Sequence, residues 1–229
     1  MFKNDFWLSR ASKINCFNIS HPHLYKESLK KKRNFLISCK IRKTKSKFLK
    51  INTKKTNFKF IGENVVFQKQ INIKGIKLNN EINFKNSKKN EKKKLIDFCQ
   101  QNMKSSRFDL DRRIPKYIVR RIRKNWISSY FLNLKNKEIF STYKKKTLVG
   151  LLCVIKRKNN LIIDLIAVSK NQIGKNIGKS IIENLQIRFP KFKHIIVGTY
   201  NINKRAMNFY KNNKFKKVRS YMVYHFYER

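Results

Sequence analysis

The stretch covering residues 162–215 constrains the fold most, because strand-like and helix-like patterns alternate in it over short connections. The apolar run at residues 161–168 is interrupted only by Asp164, and it has the length and the branched side chains of a buried strand. Apolar residues at helical spacing then predict a helix from Ile177 onward. A second strand is predicted over residues 194–200, and another helix pattern follows it. This part of the chain is therefore predicted to alternate strands with helices.

The turn between the first strand and the first helix carries two glycines, Gly174 and Gly178. A turn that leads from a strand into a helix directs backbone amides and a helix N-terminus toward one place. That arrangement suits a phosphate group, and Lys175 and Lys179 add positive charge beside it. Many turns of this type only connect two elements, so the second helix carries the more specific signal.

The second helix is predicted to begin at Asn203, a residue type that is favoured at helix N-caps. Ala206, Phe209 and Tyr210 follow at spacings that place them on one face of that helix. Strand, turn, helix, strand and this second helix occur in the same order and spacing in one known enzyme superfamily.

The whole run resembles the GNAT superfamily of N-acetyltransferases. The resemblance implies a GNAT fold of the α/β (α+β) class, in which a mixed, mostly antiparallel sheet is flanked by helices. In that family the turn binds the pyrophosphate of acetyl-CoA, and the strand before it pairs with the pantetheine arm. The tyrosine of the second helix protonates the departing thiolate.

Carried onto this sequence, the resemblance implies that Tyr210 is the catalytic acid and that acetyl-CoA is the co-substrate. Asp164 or an ordered water is expected to accept the proton of the amine. The residues implied in cofactor binding lie in the strand, the turn and the second helix start: Ile166, Ala167, Val168, Ile173, Gly174, Lys175, Asn176, Ile177, Gly178, Lys179 and Asn203.

The sequence departs from the family pattern at three positions. Ile173 replaces a polar residue, and Asn176 replaces the first glycine of the motif. Asparagine tolerates left-handed backbone better than other non-glycine residues, so the turn is expected to form. Lys214 stands where the family has a glycine, and the preceding Asn212 or Asn213 is expected to supply the left-handed residue instead.

Further segments narrow the resemblance to the TDP-fucosamine N-acetyltransferases, which acetylate dTDP-4-amino-4,6-dideoxy-D-galactose. They include residues 106–115, a helix that bears Trp126, and the C-terminal segment 224–227. This resemblance implies a nucleotide-activated amino sugar as the acceptor and bacterial surface-polysaccharide synthesis as the context. Members of that family are often dimeric, so a homodimer is among the expectations. Arg107 and Phe108 are candidates for binding the nucleotide, with Asp164 as a further substrate-binding candidate.

Residues 1–70 are predicted to form a small N-terminal α/β half, residues 71–91 a Lys- and Asn-rich linker, and residues 92–229 the acetyltransferase domain. In the first half, the patterns predict strands at 17–19 and 35–41, helices at 21–33 and 46–53, and a hairpin over 58–67. In the last domain, they predict two helices at 92–103 and 117–131, then a strand meander at 138–143, 147–156 and 161–168. Gly150, inside the second strand of that meander, predicts a bulge or a close backbone approach.

The chain carries 57 Lys+Arg against 12 Asp+Glu, which gives a formal net charge of +45. One interpretation is a nucleic-acid- or ribosome-associated protein on a degenerate acetyltransferase scaffold. The other is compositional drift, because Lys, Asn, Ile and Phe are in excess over the whole length. The lysines interrupt every element and form no single stripe, which favours drift. Either interpretation allows nonspecific polyanion binding.

Cysteine and histidine patterns point away from metal and redox chemistry. The four cysteines are widely spaced without a Cys-x-x-Cys pair, and the four histidines form no ligand cluster, so no metal is predicted. Cys153 is predicted to lie in the core. No apolar run reaches roughly 18 residues, so no membrane span is predicted. The N-terminus lacks the apolar region of a signal peptide, and a cytoplasmic location is expected.

Overall fold

The computed structural model describes residues 2–22, 35–43, 57–132 and 134–228. The helix predicted at 46–53 lies outside these residues, and so does the helix predicted at 21–33 except for its first two residues. In the described part the strands are β1 (Phe2–Asn4), β2 (Asn15–Ile19), β3 (Phe35–Arg42), β4 (Lys59–Gln70), β5 (Ile82–Asn86), β6 (Lys137–Lys144), β7 (Thr147–Arg157), β8 (Asn160–Val168), β9 (His194–Tyr200) and β10 (Lys216–Glu228).

The described helices are α1 (Phe6–Ser12), α2 (Lys92–Asn102), α3 (Arg107–Leu110), α4 (Lys116–Ser128), α5 (Ile177–Arg188) and α6 (Lys204–Asn212). The strands and helices predicted between residues 92 and 212 are confirmed, with boundary differences of a few residues. The long helix predicted over 117–131 ends earlier, because its last residues, Ser129–Phe131, form a separate 3₁₀ turn.

The strands form a single ten-stranded sheet in the order β1-β2-β3-β10-β4-β9-β8-β7-β6-β5. Only β2–β3 and β8–β9 are parallel pairs within the described sheet, so the predicted mixed, mostly antiparallel sheet is confirmed. The sheet runs without interruption through both predicted parts of the chain, since β4 lies between β10 and β9. The predicted boundary at residue 70 therefore does not separate two sheets.

Two local predictions before residue 92 differ from the structure. Residues 58–67 do not form a hairpin, because Lys59–Gln70 is one continuous strand with a register shift beside Gly62. Gly62 has φ +153° and lies beside the bulge in this strand. The segment 71–91, predicted as a linker, contains β5, which adds to the sheet along β6. Its apolar residues Ile82 and Phe84 explain why, since both join the hydrophobic core.

Helices cover both faces of the sheet. On one face, Ile177, Ile181 and Leu185 of α5 pack with side chains of β4, β7, β8 and β9. On the other face, α2 and α4 bury Leu95 and Ile127 against β6, β7 and β8. The same side of the sheet continues toward β2 and β3, where α1, α3 and α4 form a further cluster. Each fully buried aliphatic side chain contributes roughly 1.5–3 kcal/mol, so burial on both faces stabilises the packing of the helices on the sheet.

Gly150 provides one of the tight contacts between layers. A Cβ at this position would lie 2.7 Å from Cδ1 of Ile181 on α5 and 3.1 Å from Cβ of Thr142 on β6. The β6–β7 register also shifts beside Thr142. The predicted close approach is therefore confirmed, and it lets α5 lie directly on β7.

Candidate active site

The parallel pair β8–β9 opens partway along its length. Its register ends at Ile163 opposite Val197, although β8 continues to Val168 and β9 to Tyr200. The two strands therefore diverge toward their C-terminal ends and leave a gap inside the sheet. A gap of this kind exposes backbone donors and acceptors that an extended ligand can use.

A β-bulge lies where the two strands separate. The pairing of β8 with β7 skips Asp164, because Ile163 lies opposite Val154 and Leu165 lies opposite Cys153. A bulge bends its strand and increases the local twist, which accounts for the divergence from β9 at this residue. The single polar residue in the apolar run is thus the one that the bulge presents.

Beyond the bulge, β8 has backbone groups that face the gap. The amide of Ser169 donates to the carbonyl of Val149 on β7 at 2.9 Å. Alternate residues of an antiparallel ladder direct their backbone groups to opposite sides. By this alternation Ala167 pairs toward β7, whereas Ile166 and Val168 direct their amides and carbonyls into the gap.

The turn after β8 presents a group of free amides. The first backbone bond of α5 runs from the amide of Ser180 to the carbonyl of Asn176 at 2.9 Å, and no side chain caps the helix. Earlier in the turn the amide of Lys175 donates to the carbonyl of Gln172 at 3.3 Å. In the described structure no acceptor is found for the amides of Gly174, Asn176, Ile177, Gly178 and Lys179. Such a group at a helix N-terminus attracts anions.

The backbone of the turn explains its sequence. Gly174 has φ +85° and Asn176 has φ 57°, so both occupy left-handed backbone. The expectation that Asn176 can replace a glycine here is confirmed, because asparagine is tolerated in that region. Ile173 lies in extended backbone and is 39% exposed, so it adds no polar group to the turn.

Gly178 serves packing as well as the turn. A Cβ on Gly178 would lie 2.8 Å from Cε2 of Phe209 on α6. The glycine therefore allows α6 to approach the first turn of α5. This contact ties the helix that carries Tyr210 to the turn with the free amides.

Asn203 starts α6 as predicted. Its Oδ1 accepts from the amide of Ala206 at 3.1 Å, which is an N-cap bond. Its Nδ2 donates to Oγ of Ser105 at 2.9 Å. On the other side of the gap, the amide of Lys170 donates to Oδ1 of Asn102 at 3.1 Å. The connection between α2 and α3 is thus fastened beyond the end of β8 and beyond the end of β9, so it spans the mouth of the gap.

Tyr210 lies in the core between α6 and the sheet. Its ring centroid is 5.7 Å from that of Phe67 and 5.3 Å from that of Phe215, and the residue is 3% exposed. Among the described residues its hydroxyl has no hydrogen-bond partner. Burial raises the pKa of Tyr210. The phenol therefore stays protonated at neutral pH and has a free proton to donate.

The residue after α6 corrects one expectation. Lys214 itself takes the left-handed conformation with φ 61°, whereas Asn213 has φ −89°. The expectation that Asn212 or Asn213 supplies this conformation is therefore wrong. The reason is the length of α6, because its backbone bonds extend to Asn213 and leave the reversal to the next residue.

Asp164 is held by two aromatic donors from the helical layer. Nε1 of Trp126 and Oη of Tyr130 both donate to Oδ2 of Asp164 at 2.5 Å. Burial and the charge of Asp164 raise the pKa of Tyr130. Oδ1 of Asp164 has no bond with any described residue and stays available at the bulge. The sequence contained no signal for these two donors. Trp126 and Tyr130 precede Asp164 by 38 and 34 positions, so they approach it only in the folded chain.

Arg107 and Phe108 begin α3, and the structure gives them different surroundings. Phe108 is buried, and its ring stacks on the imidazole of His225 at 6.2 Å between centroids. The guanidinium of Arg107 lies 4.7 Å from the Phe108 centroid and has no ion pair with any described residue. Arg107 is thus available to bind a ligand, whereas the buried Phe108 packs against the Arg107 guanidinium.

Beneath Phe108 lies a buried polar cluster for which the sequence carries no local signal. Arg113 binds Asp111 through two nitrogens at 2.9 Å each, and Asp111 also accepts from Nδ1 of His225 at 3.2 Å. Burial opposes charge on Asp111, but the bonds from His225 and Arg113 hold the pKa of this carboxyl well below its ordinary value. Burial lowers the pKa of His225 to about 4, although the Asp111 bond acts in the other direction.

Neither a metal cluster nor a membrane helix is found in the part of the chain that the structure describes. No three His, Cys, Asp or Glu side chains among those residues converge on one point. The helices described above are all too short or too polar to cross a bilayer.

Comparison with known proteins agrees with this geometry. Residues 93–225 match the family described as an acetyltransferase (GNAT) domain. Among curated proteins, no sequence matches the chain.

Solved structures with the same fold have little sequence in common with the chain. A conserved protein of unknown function from Staphylococcus epidermidis superposes with a TM-score of 0.74 at 12% identity, over 97% of this chain and 89% of its own. A GCN5-related N-acetyltransferase from Sphaerobacter thermophilus superposes with a TM-score of 0.58 at 9% identity, over 84% of this chain and 60% of its own. A tandem GNAT protein of the clavulanic acid biosynthesis pathway superposes with a TM-score of 0.55 at 7% identity, over 84% of this chain and 64% of its own. The chain spans less than two thirds of the latter two proteins.

Proposed function

Because this chain belongs to the GNAT family and is an acetyl-CoA-dependent N-acetyltransferase, we propose that it acetylates the amino group of a nucleotide-activated amino sugar. The observation that carries the proposal is the gap between β8 and β9, which leads to the free amides at the start of α5. The gap and the free amides follow one another along the chain. An extended cofactor such as acetyl-CoA could therefore place its pantetheine arm in the gap and its pyrophosphate at the amides. The amino-sugar acceptor rests on the resemblance of residues 106–115 and 224–227 and on the free cation Arg107.

The cofactor would lie along the open edge of β8. The backbone groups of Ile166 and Val168 would pair with the amides of the pantetheine arm. The amides from Gly174 to Lys179 would hold the pyrophosphate, with the ammonium groups of Lys175 and Lys179 nearby. Asn203 would act on the cofactor through the position of α6, since both ends of its side chain are already bonded to the protein.

Acetyl transfer then requires one new bond and two proton movements. The neutral amine attacks the thioester carbonyl, so that a C–N bond forms and the C–S bond breaks. A backbone amide near Val168 would stabilise the oxyanion. Tyr210 would donate its phenolic proton to the thiolate, and its burial keeps that proton in place at neutral pH.

Asp164 would receive the amine at the bulge. Trp126 and Tyr130 occupy Oδ2 and fix the carboxylate, which leaves Oδ1 to accept a hydrogen bond from the amine. A carboxylate in this position orients the amine and can take its proton directly or through water. The aromatic donors would thus act as positioning residues for Asp164.

A second candidate function follows from the charge of the molecule. The net charge of +45 and the altered turn, with Ile173 and Asn176, favour a basic RNA- or ribosome-associated protein on an acetyltransferase scaffold. This protein would bind polyanions over a broad surface and would not need a defined acceptor site. An enzyme that acetylates a protein or another amine is a further alternative within the same family.

Thiol release with a set of acceptors tests the proposed function. Purified protein is assayed with acetyl-CoA and a dTDP-linked 4-amino-4,6-dideoxyhexose, the corresponding free amino sugar, or a peptide with a free N-terminus. We expect the nucleotide-linked sugar to give the highest kcat/KM, because its phosphates meet free cations in the cleft. Equal rates for the linked and free sugars, or a preference for the peptide, would contradict the amino-sugar proposal.

A further inference from the structure

Three cationic side chains from three elements lie on one face of the sheet. They are Arg107 of α3, Lys40 of β3 and Arg219 of β10. Leu36 packs with the helices on this face, so alternation along β3 places Lys40 on the same side. Tyr227 packs there too, and alternation along β10 places Tyr221 and Arg219 with it. The geometry agrees, since Nζ of Lys40 lies 4.3 Å from the ring centroid of Tyr221.

None of these three cations has an ion pair with a described residue, although other cations nearby do. Glu63 of β4 accepts from Lys43 at 3.2 Å and from Lys217 at 3.3 Å. Glu63 lies opposite Met222, which packs on the other face of the sheet, so alternation directs this carboxylate away from Lys40. The cations on the helical face are therefore left without a carboxylate from the same strands.

The charges of the two arginines both act on Lys40. Burial lowers the pKa of the Lys40 ammonium, and the charges of Arg107 and Arg219 lower it further. Like charges on one face repel, and a bound anion reduces the repulsion. Such an arrangement is typical of a site that is completed by an anionic ligand.

The floor beside these cations also has unsatisfied polar atoms. Nε2 of His225 and Oγ of Ser38 are buried without a partner among the described residues, and the two residues are direct neighbours across β10 and β3. Since Asp111 stays ionised, it fixes the proton on Nδ1 and leaves Nε2 as a bare acceptor. A buried acceptor without a partner is unfavourable, so a small donor such as water is expected at Nε2 beneath the cations.

This surface adjoins the gap in the sheet. Tyr221 of β10, Asn64 of β4 and Tyr200 of β9 form one row across three neighbouring strands. Tyr200 ends β9 at the mouth of the gap, and the charge of Arg107 reaches it. A ligand held by the cations can therefore extend along this row toward Asp164.

We propose that Arg107, Lys40 and Arg219 form a binding site for a diphosphate group of the acceptor substrate. Two guanidinium groups can each bind a phosphate through two nitrogens, and the ammonium adds a point charge between them. Three cations exceed what a single carboxylate needs, and they are sufficient to neutralise the two negative charges of a diphosphate diester. The acceptor role rests on the proposed function, whereas the anion site itself does not.

Calorimetric titration with inorganic diphosphate tests the site. The protein is first saturated with coenzyme A, so that the free amides of the α5 turn are occupied. Lys40→Gln and Arg219→Gln are compared with Lys124→Gln, a matched control that removes one exposed charge from α4. We expect each of the first two variants to weaken diphosphate binding about tenfold or more, the scale of one charged hydrogen bond. The control should bind as the wild type does.

Each outcome of this titration decides the proposal. Unchanged affinity in Lys40→Gln and Arg219→Gln, or an equal loss in Lys124→Gln, would overturn it, because bulk charge would then explain the binding. A short oligoribonucleotide is titrated in parallel. If the variants weaken only its binding and leave diphosphate binding unchanged, the cations serve a polyanion and the proposal fails. If coenzyme A does not bind at all, the proposed function fails while the diphosphate comparison still stands.

Discussion

Single residues determine whether this site can work, and Tyr210 is the most direct case. Tyr210→Phe removes the hydroxyl and almost no volume, so the contacts with Phe67 and Phe215 remain. We expect kcat to fall about a hundredfold, the scale of one general acid, with the affinity for acetyl-CoA nearly unchanged. Steady-state thiol release and calorimetry measure the two effects. Wild-type kcat in this variant would mean that solvent or another group protonates the thiolate.

His225 makes the stability of the fold depend on pH. Its pKa is about 4 in the folded protein against an ordinary value of 6.5, so the unfolded chain binds more protons between these values. Stability is therefore complete above pH 6.5 and is lost as the pH falls toward 4. Asp111, whose pKa is lowered, adds a loss in the same direction at still lower pH.

The expected loss from His225 is about 2 kcal/mol between roughly pH 7 and pH 5. Urea unfolding at the two pH values measures it, with His225→Gln as the comparison. The variant is less stable at pH 7, but its stability should change less with pH. A variant with the same pH dependence as the wild type would show that other groups cause the acid sensitivity.

Lys214 carries backbone strain that glycine would remove. Its φ of 61° costs a non-glycine residue about 1 kcal/mol, so Lys214→Gly should raise the free energy of unfolding by roughly that amount. Lys211→Gly is the matched control, because Lys211 lies within α6 and glycine there should destabilise by about 1 kcal/mol. Opposite signs in chemical unfolding support the assignment, and two equal losses would refute it.

At the scale of elements, the contact between α5 and α6 couples the turn with the free amides to the helix that carries Tyr210. Gly178→Ala places a Cβ 2.8 Å from the ring of Phe209, so the two helices must move apart. We expect a loss of about 1–3 kcal/mol in stability together with weaker acetyl-CoA binding. Thermal unfolding and calorimetry measure both.

Two further variants separate the steric cause from the conformational one. Gly178→Ala combined with Phe209→Leu should recover part of the lost stability, because the smaller side chain relieves the overlap. Gly174→Ala meets no atom within 4 Å, and its cost should come only from the backbone at φ +85°. If Phe209→Leu brings no recovery, the helix contact is not what Gly178 serves.

At the scale of the whole molecule, charge acts without a specific site. With a net charge of +45, RNA binding should be strong at low salt and should fall about a thousandfold between roughly 50 and 200 mM salt. Binding of acetyl-CoA should fall less steeply, because far fewer phosphates are neutralised. Titrations over a salt series give both slopes. A shallow salt slope for RNA would indicate a built RNA site and would favour the alternative function.

The sequence alone determined most of the domain around the candidate site. The strand, turn and helix periods between residues 92 and 212 are local signals, because each depends on neighbouring residues in one element. The glycine and asparagine positions of the turn are local as well, since they reflect backbone conformation at single residues. For this reason the order of elements, Asn203 as an N-cap and the left-handed Asn176 were predictable.

Only the tertiary structure decided which distant residues meet. The place of β4 between β10 and β9, the two donors on Asp164 and the Asp111–His225 pair join residues that are far apart in sequence. No local period encodes such contacts, because they depend on how complete layers pack. The conformation of Lys214 belongs to the same class, since the end of α6 is set where the chain must turn back into β10. Strand order and packing therefore assembled the cations and the buried polar cluster on one face of the sheet.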